Sequence, residues 1–286
     1  MKQFKGRVAF VTGGASGIGY GLVQNFLNLG MRVVVADFNR DHLQEVRQAL
    51  AGRDDVHCVQ VDVANRAQLR DAADEALRVF GKLHVLCNNA GVGGGGDAAD
   101  PEFEAWDRAL AVNLGGVVNG VKIIAPHILS HGEGGHIVNT SSMAGIVPLP
   151  GLAAYQTAKF AVRGYTESLR MALAPHGIGV SCLFPGGTRT RIVEASARDA
   201  AARAAAREMT ASWMDPIELG AYVVEGIRDN SPYILTHEEF RDEVREMWQM
   251  LDAAFPRNQQ VPPGRRAFEE GRRANVARLR ALPAKD

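Results

Sequence analysis

The feature that most constrains this chain is the alternation of short apolar runs with longer amphipathic stretches. Runs at 7–12, 31–36, 56–61, 83–88, 135–141 and 180–184 read as strands, and 232–235 as a last short one. Between them, residues 17–29, 40–50, 66–80, 102–131 and 155–176 carry helical periodicity. A strand that is apolar throughout, such as 33–36, needs cover on both faces. Repeated strand–helix–strand order places the strands parallel, joined by right-handed crossovers. The predicted fold is therefore α/β, a doubly wound parallel sheet with helices on both sides.

Composition excludes several other classes. The chain has 286 residues, enough for one α/β domain of generous size, and 46% of them are apolar. Thirty-two basic residues balance 32 acidic ones, so no electrostatic footprint for a nucleic acid is present. Cys58, Cys87 and Cys182 lie far apart in apolar runs and read as reduced, buried strand residues. The eight histidines show no metal-ligand spacing, so no metal is expected. The N-terminus enters a strand without a signal or transit sequence, and no apolar run is judged long enough for a membrane span. These features predict a soluble cytoplasmic protein with neither a nucleic-acid nor a membrane partner.

Two motifs carry chemistry. The first is Thr12-Gly13-Gly14-Ala15-Ser16-Gly17-Ile18-Gly19, which ends one strand and opens a helix. Glycines there let the backbone approach a pyrophosphate, and the helix start offers free N–H groups and a positive dipole end. The spacing is G-x-x-x-G-x-G. Asp37 ends the second strand, where a carboxylate can accept both ribose hydroxyls of an adenosine and repel a 2′-phosphate. That favours NAD over NADP, although Arg40 nearby could hold such a phosphate. A helix cap is the competing role for Asp37, and for Asp62 it is as good an explanation as the adenine edge.

The second motif is Tyr155-x-x-x-Lys159, with Ser142 upstream. Four residues make one helical turn, so both side chains share a face. An ammonium beside a phenol lowers its pKa and makes it a usable general base.

Taken in order, the glycine turn, Asp62, Asn88-Asn89-Ala90-Gly91, Asn113, Ser142, Tyr155, Lys159 and Pro185-Gly186 with Thr190 resemble the short-chain dehydrogenase/reductase family. The resemblance covers about residues 5–233. It implies a Rossmann-type sheet of seven parallel strands and a homotetramer or homodimer. It also implies a catalytic set of Asn113, Ser142, Tyr155 and Lys159. Tyr155 is then the acid/base, Ser142 orients the substrate oxygen, and Lys159 binds the nicotinamide ribose. Asn113 holds a water that links Lys159 to solvent. NAD would be held by Gly13, Ser16, Gly17, Ile18, Gly19, Asp37, Phe38, Asp62, Val63, Asn89, Ala90 and Gly91, by Tyr155 and Lys159, and by Pro185, Gly186, Thr188 and Thr190. Thr188 stands where the family commonly has a β-branched aliphatic residue. On this reading, residues 1–236 form the dinucleotide-binding and catalytic body, and 237–286 a helical extension of the same domain.

The loops expected to close the substrate pocket, 93–97 and 143–152, are small or apolar, with Met143, Ile146, Val147, Pro148, Leu149 and Leu152. Arg189 and Arg191 flank Thr190 and could clamp an anion, but a solvated loop face suits them better. The expected substrate is an uncharged, largely apolar secondary alcohol or ketone. The ending from Pro232 to Phe240 is similar to that of aryl-alcohol Cα-dehydrogenases of lignin-dimer breakdown; steroid and terpenoid alcohols are alternatives. The rival functions are an NADP-dependent carbonyl reductase, a dinucleotide sensor without turnover, and a sugar-nucleotide epimerase. The extension is expected to cover the pocket mouth or a neighbouring subunit.

Overall fold

The computed structural model describes residues 1–94, 98–99, 103–192 and 199–285. The strands are β1 (Val8–Thr12), β2 (Arg32–Asp37), β3 (Val56–Gln60), β4 (Val85–Asn88), β5 (Gly135–Thr140), β6 (Ile178–Phe184) and β7 (Tyr233–Leu235). They form one sheet in the order β3-β2-β1-β4-β5-β6-β7. Every pairing is parallel. Each expected strand is present, with ends moved by one or two residues.

Helices α1 (Gly17–Asn28), α2 (Arg40–Ala49), α3 (Arg66–Phe80), α4 (Phe103–Leu110), α5 (Gly116–Ser130) and α6 (Ala153–Leu173) follow strands in turn. Asn39 caps α2 by accepting from the N–H groups of Asp41 and His42, and Asn65 caps α3 in the same way. Each sheet face carries its own core. Leu22, Phe26 and Val223 lie over one face, and Leu69, Ile124 and Ile128 over the other. Burying both faces is what the continuous apolar strands required.

The long helix expected at 102–131 is interrupted. Between α4 and α5, residues Ala111–Gly115 form a π-helical turn. Residue 102 itself lies outside the described residues. Within Phe103–Ser130 one 18-residue stretch has a mean hydropathy of 1.4, so by length and composition alone this unit could cross a bilayer, against the expectation that no apolar run reaches that length. Its most apolar stretch is half buried, with Val121, Ile124 and Ile128 packed in the core of one sheet face.

Beyond β6 come α7 (Ala200–Thr210) and α8 (Pro216–Arg228), the latter packed along α1. The alanine-rich helix expected at 195–206 is described only from residue 199 onward. After β7 the extension forms α9 (Arg241–Ala253) and α10 (Pro263–Arg280). Neither helix buries a residue fully. Pro262 and Pro263 sit at the start of α10, where a proline costs no hydrogen bond.

Candidate active site

The glycine turn lies at the carboxyl edge of β1. Gly13 and Gly17 have φ of +62° and +51°, which side-chain-bearing residues seldom adopt. A Cβ on Gly13 would lie 2.9 Å from Ala90 Cα, and one on Gly17 would lie 2.8 Å from Thr190 Cγ2. The turn is thus packed against both later segments of the expected dinucleotide site. Ser16 starts α1 in an extended conformation and does not turn its hydroxyl onto the first-turn N–H groups. Those donors suit an anionic ligand.

Asp37 is 8% exposed. Its Oδ2 accepts from Ala15 N–H at 3.0 Å and its Oδ1 from Asn39 N–H at 2.9 Å. The carboxylate therefore holds the glycine turn, while Asn39 serves as the helix cap. Phe38 is 69% exposed beside it. Asp62 Oδ1 accepts from Ala64 N–H at 2.9 Å, shaping the turn ahead of the Asn65 cap, and Val63 is buried against Gly116. The Thr12 hydroxyl accepts from the N–H groups of Asn89 and Ala90 at 2.9 and 3.1 Å, joining the β1 and β4 ends. Asn89 Nδ2 donates back to the Thr12 carbonyl at 3.2 Å. Gly91 stands within 4 Å of the side chains of both Asn113 and Lys159, measured from the position a Cβ would take.

Tyr155, Lys159 and Ser142 converge at the neighbouring edge of β5. The Tyr155 phenol faces Ser142, whose hydroxyl favours its ionised form. Ser142 Oγ also accepts from Ala144 N–H at 3.1 Å and donates weakly to the Pro185 carbonyl at 3.4 Å. Lys159 Nζ lies 5.4 Å from the Tyr155 ring centroid and donates to the Thr140 carbonyl at 2.9 Å. Ser141 turns away and donates to the Lys159 carbonyl at 2.8 Å, which leaves Ser142 as the serine facing Tyr155.

Protonation differs from the expectation. Burial pushes the Tyr155 phenol above its ordinary value, and the Ser142 hydroxyl only partly offsets this. Burial lowers the Lys159 ammonium to about 8. Desolvation is the largest influence on both groups. Asn113 is fully buried in the π-helical turn. Its Oδ1 accepts from Val92 N–H at 2.9 Å and its Nδ2 donates to the Val92 carbonyl at 3.0 Å. The side chain thus clamps the segment after Gly91.

The Pro185–Thr190 segment closes the site. Met143 N–H donates to the Pro185 carbonyl at 2.9 Å, and Thr188 bridges to Met214. A cleft of about 410 Å³ runs from Gly17 and Tyr20 past Thr190 to Pro216 and Ile217. Arg189 pairs with Asp215, and Arg191 Nη2 pairs with Glu45 Oε2 at 2.8 Å, so both arginines are engaged on the surface.

Several pocket residues are placed otherwise than expected. Met143, Ile146 and Val147 are buried with Cys182 and Phe184, and the extension's Phe240, Val244 and Met247 pack against them. These side chains form a floor behind Ser142, while Pro148 and Leu149 keep some exposure. The extension thus packs against the segment that follows Ser142. Of the expected pocket loops, residues 95–97 lie outside the described residues.

Sequence reading also missed two histidine settings. His237, one residue past the Tyr233–Thr236 stretch, is buried against Gly186. Its partners lie about fifty residues away in sequence, so no local pattern marks it. At the amino end of the sheet, His84, His131 and Glu133 bring their ligand atoms within 4.8 Å of one another. This donor set does not fit a metal. His84 Nδ1 accepts from Val8 N–H, and both His131 nitrogens meet backbone groups. Lys82 and Arg7 also hold cationic charge against Glu133.

Comparison with known proteins agrees with this geometry. Residues 7–201 match the model of the short chain dehydrogenase family. A Cα-dehydrogenase of Sphingobium sp. is 31% identical over 271 residues, spanning 90% of this chain and 89% of the relative. A 3β-hydroxysteroid dehydrogenase of Eggerthella lenta is 38% identical over 189 residues, covering 65% and 73% of the two chains. The structure of a short-chain dehydrogenase/reductase from Burkholderia phymatum in complex with NAD superposes with a TM-score of 0.82 at 34% identity, covering 92% of this chain and 100% of that one. The chain belongs to the short-chain dehydrogenase family. It is an oxidoreductase of that family, with a fold that binds nicotinamide dinucleotides.

Proposed function

We propose that this protein moves a hydride between NAD(H) and an uncharged, largely apolar secondary alcohol or ketone, with aryl alcohols the first class to test. The supporting observation is the Ser142–Tyr155 pair beside buried Lys159, at the same sheet edge as the uncapped start of α1 and Asp37. The glycines fit a dinucleotide because side chains at Gly13 and Gly17 would fill the cradle. Gly13, Ser16, Gly17, Ile18 and Gly19 would hold the pyrophosphate. Asp37 would accept the adenosine ribose hydroxyls with its remaining lone pairs, and Phe38, Asp62 and Val63 would flank adenine. Asn89, Ala90 and Gly91 would line the ribose side, and Pro185, Gly186, Thr188 and Thr190 the nicotinamide. When bound, NAD supplies the hydride acceptor.

This chain's residues supply proton traffic and orientation. Ser142 holds the substrate oxygen beside the Tyr155 hydroxyl. Held protonated by burial, Tyr155 gives its proton to the oxygen that forms during ketone reduction. In oxidation, Tyr155 takes the alcohol proton, and the Lys159 ammonium beside it stabilises the phenolate. The pairing of Arg189 and Arg191 with carboxylates argues against either of them clamping an anionic substrate. The Cα-dehydrogenase and hydroxysteroid dehydrogenase relatives support an apolar alcohol, and the NAD-bound neighbour supports NAD. Exposed Phe103, Phe160, Trp248, Met250 and Phe255 supply apolar area for a homodimer or homotetramer. The free cysteines accord with a reducing cytoplasm.

The test is the rate of reduced-nicotinamide formation across secondary aryl, steroid and terpenoid alcohols, with NAD and NADP in parallel and Tyr155→Phe as control. Turnover with NAD that is lost in the variant is the expected result. Faster turnover with NADP would replace this reading with a carbonyl reductase. Dinucleotide binding without turnover, ketones included, would point to a sensor.

A further inference from the structure

The segment after β6 contains two consecutive glycines, Gly186 and Gly187, gripped from both sides. On one side stands His237, which is 7% exposed. Gly186 N–H donates to His237 Nδ1 at 3.0 Å, and His237 Nε2 lies 3.0 Å from the Gly187 carbonyl. One neutral tautomer, with its proton on Nε2, satisfies both bonds. The Thr236 hydroxyl lies 2.8 Å from the same Nδ1 and can only donate to it in that tautomer. The ring also lies close against the backbone. A Cβ on Gly186 would sit 2.6 Å from His237 Cγ and 2.9 Å from the Phe240 ring. On the other side, a Cβ on Gly187 would lie 3.0 Å from the Trp213 indole. Met214 N–H meets the Gly187 carbonyl at 3.0 Å as well.

This grip reaches the reacting groups in a few bonds. Pro185 precedes Gly186, and its carbonyl accepts from Met143 N–H and from the Ser142 hydroxyl. Ser142 in turn faces Tyr155 and acts on its phenol. A shift of the double-glycine segment would therefore move both the Pro185–Thr190 segment and the acceptor that orients Ser142.

We propose that His237 is a positioning residue for the reaction, whose neutral imidazole locks the Gly186–Gly187 backbone and so sets Ser142 and the nicotinamide-facing segment against Tyr155. This rests on the dehydrogenase reading above and deepens it. It gives the extension's first residues a role in the site that is independent of covering the pocket. The imidazole can hold this backbone because it offers an acceptor and a donor on one rigid ring.

The test compares His237→Leu, His237→Gln and the parent in NADH binding by fluorescence titration and in steady-state kinetics on the best alcohol from the panel. His237→Leu removes both bonds. Misplacing reacting groups by ~1 Å costs up to about a hundredfold in rate, so kcat should fall about ten- to a hundredfold. The NADH dissociation constant should change less than about threefold, because the adenosine half is held elsewhere. His237→Gln can still donate to the Gly187 carbonyl, and part of the lost kcat should return. Equal kcat in all three proteins would overturn the proposal, as would a loss confined to NADH affinity. If the parent itself bound no NADH, the dehydrogenase reading would fail instead. Should the variants not fold, nitrogen-15 NMR of histidine-labelled parent decides. A neutral Nε2–H tautomer at His237 supports the lock, and an Nδ1–H tautomer or a protonated ring overturns it.

Discussion

The two edges of the sheet treat charge in opposite ways, pairing it on an exposed surface at one and burying it unpaired at the other. At the amino edge, Glu133 pairs with Lys82 and with His84, and its backbone carbonyl takes Arg7 Nη1 at 3.0 Å. Those partners, Lys82 first and then His84, hold the Glu133 carboxyl down at about 2. At the carboxyl edge, Lys159 is buried with no carboxylate partner among the described residues, and its ammonium meets the Thr140 carbonyl. The larger cleft, about 600 Å³, lies at the amino edge between Lys5, Arg7, Arg32 and Glu133. Volume therefore does not mark the site. What marks it is an unpaired buried cation beside a buried phenol, an arrangement that costs stability and survives where chemistry needs it.

The largest contrast should come from removing one group at each edge. Tyr155→Phe should lower kcat by about 10²–10⁴ with NADH binding retained, whereas Glu133→Gln should stay within about twofold of the parent rate. Comparable losses in both would erase the distinction between the edges. Lys159→Met should abolish most turnover yet unfold at higher urea at neutral pH, by about 1–3 kcal/mol, because a buried cation is replaced by a hydrophobe. The sign follows from the lowered value. Unfolded, the lysine titrates near 10.5, and folded, near 8. The unfolded chain binds more protons in that window, so parent stability rises from pH 8 to 10.5, and the variant should not show the rise. A variant less stable than the parent at pH 7 would break this account.

Asp37→Ser should cut the preference for NAD over NADP on the order of tenfold, read from kcat/KM with each dinucleotide. An unchanged ratio would assign Asp37 to holding Ala15 alone. The smallest effect belongs to the amino edge. Burial lowers His84 from 6.5 to about 4, so its neutral form stabilises the fold at pH 7, and this is lost as pH falls from 6.5 toward 4. His84→Gln should narrow the stability difference between pH 7 and pH 4.5 by about 1 kcal/mol, measured by urea unfolding, after allowing for solvent screening.

The elements most legible in the sequence were those with local signals. Continuous apolar strands fixed the sheet, because burial on both faces leaves no room for polar alternation. Gly13, Gly17 and Gly19 stood out because backbone conformation and close approach demand them. Ser142, Tyr155 and Lys159 were found by spacing, and the fold brings them together. The protonation of Tyr155 was not legible, since desolvation depends on what surrounds the helix and not on the residue four places along. Met143, Ile146 and Val147 were read as pocket lining, but apolarity alone does not say whether a side chain faces a cavity or a core. The π-helical turn at Ala111–Gly115 has no compositional mark. His237 and the His84–His131–Glu133 group were hidden for a different reason, because their partners are distant in sequence.

The strand order also has a consequence in time. β1 is an interior strand, third of the seven, paired with β2 on one side and β4 on the other. Val8 can find Arg32 early, but Val11 must wait for Cys87. While the intervening residues are being synthesised, one edge of this interior strand presents bare N–H and C=O groups that any extended chain can take. The part of the molecule that ends up best protected is thus, for a while at birth, its most open edge.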